Sequence, residues 1–112
     1  MPRPSPSADL LQGTLNMLIL QVLSRGKANG YEIAKLIETR SSEALQVDHG
    51  SLYPALRRLE QNGWLTAAWE LSATNRKARY YALTPAGRKQ VEIEHTRWRA
   101  AVLAVTRVMR PA

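Results

Sequence analysis

The sequence predicts a small, mainly α-helical domain that carries one β-hairpin, and three observations make that prediction. Apolar residues recur at helical spacing in four separate runs, each opened by a capping side chain: Asp9, Asn29, Asp48 and Thr84. Between the third and fourth runs the apolar period drops to two on either side of a polar loop. With 112 residues the chain makes one domain whose modest core a partner subunit would help to complete.

Charge narrows the partner. The net charge is +7, which favours a polyanion, nucleic acid or a membrane surface, over a neutral partner. The excess rises along the chain, from +1 over residues 1–47 to +2 over 48–83 and +4 over 84–112. There is no cysteine, so disulfides, thiol catalysis and cysteine-ligated zinc are excluded. The longest clean apolar run, Met17 to Leu20, is far too short to span a membrane, and no export signal is visible, so the expected address is cytoplasmic.

Residues 1–8 are rich in proline and serine and are expected to form a disordered leader. From Asp9 a helix is expected with two apolar rows. Leu11, Leu15, Leu18 and Val22 form one, widened by Ile19 and Leu23; Leu10, Met17 and Leu20 form the other. A helix apolar on two sides is buried from two directions. The first row is assigned to the core and the second to a subunit contact. Gly26 ends this helix. Asn29 opens the next, with Glu32 completing a capping box; Ile33, Leu36 and Ile37 are expected inside, Lys35 and Arg40 outside. Residues 41–47 form a polar link.

The third helix is the centre of the chain. Leu52, Leu56 and Leu59 make a narrow apolar stripe, Asp48 caps the start, and Gly63 stops the end. Ser51, Arg57 and Arg58 lie away from the stripe, so the outer side is hydroxylic and cationic, suited to a DNA major groove. Pro54 either sits in the unbonded first turn, if the helix begins near Ser51, or bends the helix. Tyr53 is either a core aromatic, the preferred placement, or a phosphate contact through its hydroxyl. His49, beside the cap, is expected in solvent, with contact to a phosphate or base as the alternative.

Leu65, Ala67 and Trp69 then alternate onto one face of a strand. Leu71 to Asn75 is a polar loop, and RKARYYAL returns as a second strand with Arg76, Lys77 and Arg79 near the tip. Three helices followed by a basic hairpin is the order of a winged helix-turn-helix. The wing's cations would lie along phosphates or the minor groove while the third helix occupies the major groove. Thr84 and Pro85 open a last helix of about 25 residues, roughly 37 Å long. Along it Val91, His95, Trp98, Val102, Val105 and Met109 repeat at heptad spacing, the mark of a helix lying against another helix. Together with the spare row Leu10, Met17 and Leu20 this predicts a homodimer. The division expected is a leader over 1–8, a winged helix-turn-helix over 9–83 and a dimerisation helix over 84–112.

The runs LLQGTLNMLILQVL, GYEIAKLIE, GSLYPALRRLEQNGW and RYYALTPAGRKQ resemble the PadR family of bacterial transcriptional regulators over about Asp9 to Trp98. Gly50 to Leu59 with Gly63 and Trp64 carries the specific part. The short C-terminus is similar to the branch with a single C-terminal helix. The resemblance implies a winged helix-turn-helix homodimer on double-stranded DNA, usually a repressor and often relieved by a small molecule, here a small aromatic effector. It places Gly50, Ser51, Tyr53, Pro54, Arg57 and Arg58 in the recognition helix and Arg76, Lys77 and Arg79 in the wing. It also makes Trp98 a ligand-pocket candidate, although an apolar interface anchor is the preferred role. Asn29 stands where many relatives have histidine, at a position that looks structural.

Catalysis finds no support. His49 and His95 are isolated in different elements, no carboxylate pair or glycine-rich phosphate loop is present, and no ligand cluster calls for a metal or cofactor. A winged-helix adaptor that binds protein rather than DNA is the alternative of another class. RNA binding is disfavoured because the aromatics do not form a stacking platform on a sheet.

Overall fold

Capping side chains set the starts of the last three helices, whereas Asp9, expected to cap the first, falls inside a helix that begins at Pro6. Asn29 accepts from the Glu32 amide at 2.9 Å while the Glu32 carboxylate accepts from the Asn29 amide at 3.0 Å, so the capping box is complete. Asp48 and Thr84 do the same work one-sidedly, accepting from the amides of Ser51 at 2.8 Å and Gly87 at 3.0 Å. The structure is a computed structural model describing the backbone of residues 6–111 and the side chains of 13–111. Its elements are α1 (Pro6–Leu23), β1 (Ala28–Asn29), α2 (Gly30–Arg40), α3 (His49–Gln61), β2 (Leu65–Leu71), β3 (Lys77–Leu83) and α4 (Pro85–Met109).

The helix α1 begins at Pro6, inside the stretch expected to be a leader, and residues 1–5 lie outside the described residues. A proline in the first turn forfeits no intrahelical bond, so proline-rich composition there does not forbid a helix. α1 packs against α2, α3, α4 and β3, which makes it the hub of the core. Leu15, Ile19, Val22 and Leu23 are buried as expected, but so is Leu20, which the two-row reading assigned to a partner. Its exposure is zero, and it has no surface left to offer a second chain. Leu18, expected in the core row, lies only at the margin.

The second helix buries Ile33, Ala34 and Ile37, whereas Leu36, expected inside, is 40% exposed. Position 36 falls a full turn-quarter away from the 33–37 stripe on an eleven-residue helix with a narrow contact. The link to α3 is less polar than it reads: Val47 is buried and Leu45 packs against the core. The Glu38 carboxylate holds the Val47 amide at 2.9 Å, so the link is tied back to α2.

The sheet is antiparallel with strand order β1-β3-β2, its hairpin register running from Leu65 opposite Leu83 to Leu71 opposite Lys77. The two-residue strand β1, pairing Ala28 with Tyr81 and Asn29 with Tyr80, has no periodicity of its own and was not foreseen. It anchors the wing's return strand to the start of α2.

Candidate nucleic-acid interface

The site is built on α3. Leu52, Ala55, Leu56 and Leu59 have zero exposure, which turns the rest of the helix outward: His49, Gly50, Ser51, Tyr53, Pro54, Arg57 and Arg58 are all exposed. At the far end Gly63 has a φ of 78°, and its amide and that of Trp64 bond the carbonyls of Glu60 and Leu59 at 3.0 and 3.1 Å. That is a Schellman motif, closing the helix where β2 must start. The helix begins at His49, so Pro54 stands in the second turn rather than the first, on the outer side. The Ser51 hydroxyl lies 3.1 Å from Asp48 Oδ2 and already donates into the cap, leaving its lone pairs for a base edge.

Tyr53 is not a core residue. It is 45% exposed, and its ring stacks with His49 at 5.7 Å between centroids. Its other neighbour is Gly30 at the start of α2: a Cβ on Gly30 would stand 2.9 Å from the Tyr53 hydroxyl oxygen. Leu52 and Leu56 take the inward sector, and position 53 is rotated about 100° from its neighbour on an α-helix, which carries the ring out over α2.

The wing brings Arg76 and Lys77 beside this face, both exposed. Arg79 stands on the return strand, as expected, and it also has a partner that the sequence does not show. Its guanidinium pairs with Glu60 of α3 at 2.9 Å and lies 6.0 Å from the centre of the Tyr81 ring, so it ties wing to helix. On the opposite face of the hairpin Lys27 holds Glu70 at 2.7 Å and lies 5.9 Å from the Tyr80 ring centre. Burial pushes the Tyr81 hydroxyl above the usual phenol range, a shift that the neighbouring Arg79 charge opposes. Trp69 shares a strand face with buried Leu65, but the hairpin outruns the core there and leaves the indole 67% exposed. Between the wing, Tyr53 and the start of α2 runs a groove of about 660 Å³.

A second surface lies along α4. Val91 packs against the core and His95 Nε2 meets Gln21 Oε1 of α1. Beyond them Trp98, Val102, Val105 and Met109 are all exposed within this chain. Met17, Leu18, Gln21, Val91, His95 and Trp98 line a cavity of about 140 Å³ between α1 and α4. The expected contact Leu10 falls among residues whose side chains are not described. Sequence reasoning overlooked Glu60, Tyr31 and Gly30 at the first surface. The i+3 spacing from Arg57 to Glu60 gave no hint of a partner on the wing, and Gly30 reads as part of a cap rather than as the seat of an aromatic ring.

Three helices, a hairpin that brings Arg76 and Lys77 to one side of a groove, and an outward arginine-bearing third helix define a winged helix-turn-helix protein of the DNA-binding class. The profile of the transcriptional regulator PadR-like family matches residues 19–93, and the chain belongs to that family of transcriptional regulators. It is 26% identical over 77 residues to the negative transcriptional regulator PadR of Bacillus subtilis, covering 69% of this chain and 42% of that protein. Among solved structures it is similar to a transcriptional regulator from Clostridium thermocellum, with a TM-score of 0.82, 28% identity and coverage of 91% and 99% of the two chains. A PadR family regulator from Eggerthella lenta gives a TM-score of 0.77 and 28% identity, over 94% of this chain and 89% of that one. Among the described residues no helix is long and apolar enough to cross a membrane.

Proposed function

We propose that this chain is a sequence-specific repressor that binds double-stranded DNA as a homodimer on an inverted-repeat operator. The observation that carries the reading is the juxtaposition of Arg57 and Arg58 on the outer face of α3 with Arg76 and Lys77 on the wing. α3 enters the major groove, with Ser51, His49 and their neighbours facing base edges, while the four cations hold phosphates. Arg79 is left out of the phosphate set because Glu60 already engages it. The repressor role is supported by the name of the Bacillus subtilis relative. The homodimer is supported by the bare apolar seam from Trp98 to Met109.

Selection of bound sites from random duplex DNA tests the whole reading. The expected product is an inverted repeat with half-sites about one helical turn apart. Four cations per subunit neutralise about eight phosphates per dimer, so log affinity should fall with log salt at a slope near −7. A slope shallower than about −3, or no salt-dependent binding to any duplex, would return the chain to the adaptor class.

A small aromatic effector is proposed to enter between α1 and α4 beside Trp98, in a space that a second subunit would enlarge. Titration of planar aromatic compounds should quench indole fluorescence, and Trp98→Ala should lose that binding. Equal affinity in the variant would leave Trp98 as an interface anchor only.

A further inference from the structure

The groove at the DNA-facing surface has an aromatic wall to which the phosphate-holding cations give no role. Trp69 stands on the hairpin face that buries Leu65 at its base, because alternate residues of a strand share a face. Across the ladder from it is Arg79, and Lys77 faces Leu71. Tyr31, in the first turn of α2, is 66% exposed, and Tyr53 closes the floor. Trp69, Tyr31, Tyr53, Arg76 and Lys77 therefore line one groove.

We infer that this groove seats one sugar–phosphate strand of the duplex, with Trp69 and Tyr31 packing on deoxyribose, and that these rings supply a share of DNA affinity that does not depend on salt. The inference rests on the DNA-binding reading above. The lining selects the occupant. Flat apolar rings bordered by Arg76 and Lys77 match a strand whose sugars are apolar and whose phosphates are anionic, and the Glu32 carboxylate that also lines the groove is engaged by the Asn29 amide in the α2 cap. A wholly apolar partner would desolvate Arg76 and Lys77 without pairing them, and a wholly ionic one would leave the indole in water. Phosphate contacts release counterions, whereas burial of a ring against a sugar releases none, so the two contributions separate in a salt titration.

The test is a salt series with the selected operator duplex and the whole 112-residue chain. Trp69→Ala and Tyr31→Ala should each weaken binding about tenfold with the log–log salt slope unchanged. The double variant Arg76→Ala with Lys77→Ala should instead flatten the slope by about 4 units for the dimer. Trp69→Gln, shorter and polar, should behave as Trp69→Ala, and circular dichroism melting of both should match wild type because the indole is largely exposed. In a Trp64→Phe, Trp98→Phe background, where Trp69 is the remaining indole, duplex should also change the emission. Wild-type affinity in Trp69→Ala, or a loss that tracks the salt slope, overturns the inference while leaving the DNA-binding reading standing. A wild-type chain that binds no duplex overturns both.

Discussion

Gly87, in the first turn of α4, lies against the backbone of Trp64 so closely that a Cβ there would fall inside the contact distance of the Trp64 carbonyl oxygen. The Thr84 amide donates to that same carbonyl at 3.0 Å, and the Thr84 hydroxyl donates to the Gly63 carbonyl at 2.6 Å. The start of the last helix is thereby sewn to the turn that ends the third. Backbone cannot swing aside as a side-chain tip can, so Gly87→Ala should destabilise the fold by about 1–3 kcal/mol, the cost of overpacking a tight contact. The urea midpoint measures it. A midpoint equal to wild type would mean that α4 is free to move off the Gly63–Trp64 turn. Gly30 presents the same demand with a softer partner, since the Tyr53 ring can rotate away.

At the scale of elements, α3 is held at both ends by its own sequence. Asp48 satisfies one of its free amides and the Gly63 turn satisfies two of its last carbonyls, so its length is set locally before any packing. Asp48→Ala should cost about 1 kcal/mol of stability. Because Asp48 also engages the Ser51 hydroxyl, the variant should weaken discrimination between operators more than total DNA affinity. Competition with mutated half-sites reads that difference; uniform weakening against every duplex would assign Asp48 a capping role alone. The wing, by contrast, is anchored from outside the hairpin, by the pairing of β3 with β1 and by burial of Leu65 and Tyr81, and two ion pairs add to this, Arg79 with Glu60 and Lys27 with Glu70. Both pairs are partly exposed, and each is worth little to overall stability. Their effect is on direction rather than on folding.

At the scale of the whole molecule, the longest dimension is 56 Å, and the distal part of α4 carries apolar residues that its own chain leaves exposed. Val102 and Val105 stand on the heptad seam there. Replacing both with glutamate should give a monomer that keeps its wing and recognition helix but loses tight binding to the complete inverted repeat. Sedimentation velocity with a half-site and a full-site duplex checks both parts. A wild-type chain that stays monomeric at concentrations saturating the operator would overturn the dimer.

Much of this was legible in the chain. The capping residues Asn29, Asp48 and Thr84 act within three residues of themselves, and the leucines of α3 declare a face by spacing alone, so no knowledge of distant parts was needed. The hairpin was legible for the same reason, although its loop, residues 72–76, falls one residue later than the expected Leu71 to Asn75. The cationic character of the site was visible as well, because charge is a property of residue type.

Folding alone decided which of those groups are free. Leu20 and Leu36 changed sides because a helix packed by several neighbours buries whichever residues those neighbours cover, and periodicity names a stripe without naming its cover. Tyr53 left the core, and Arg79 was claimed by Glu60, nineteen residues earlier. Trp69 kept its predicted face yet found no core beneath it. Local order follows from short-range sterics and hydrogen bonds that the sequence spells out; contact and exposure depend on elements brought together from across the chain, and only the assembled fold specifies those.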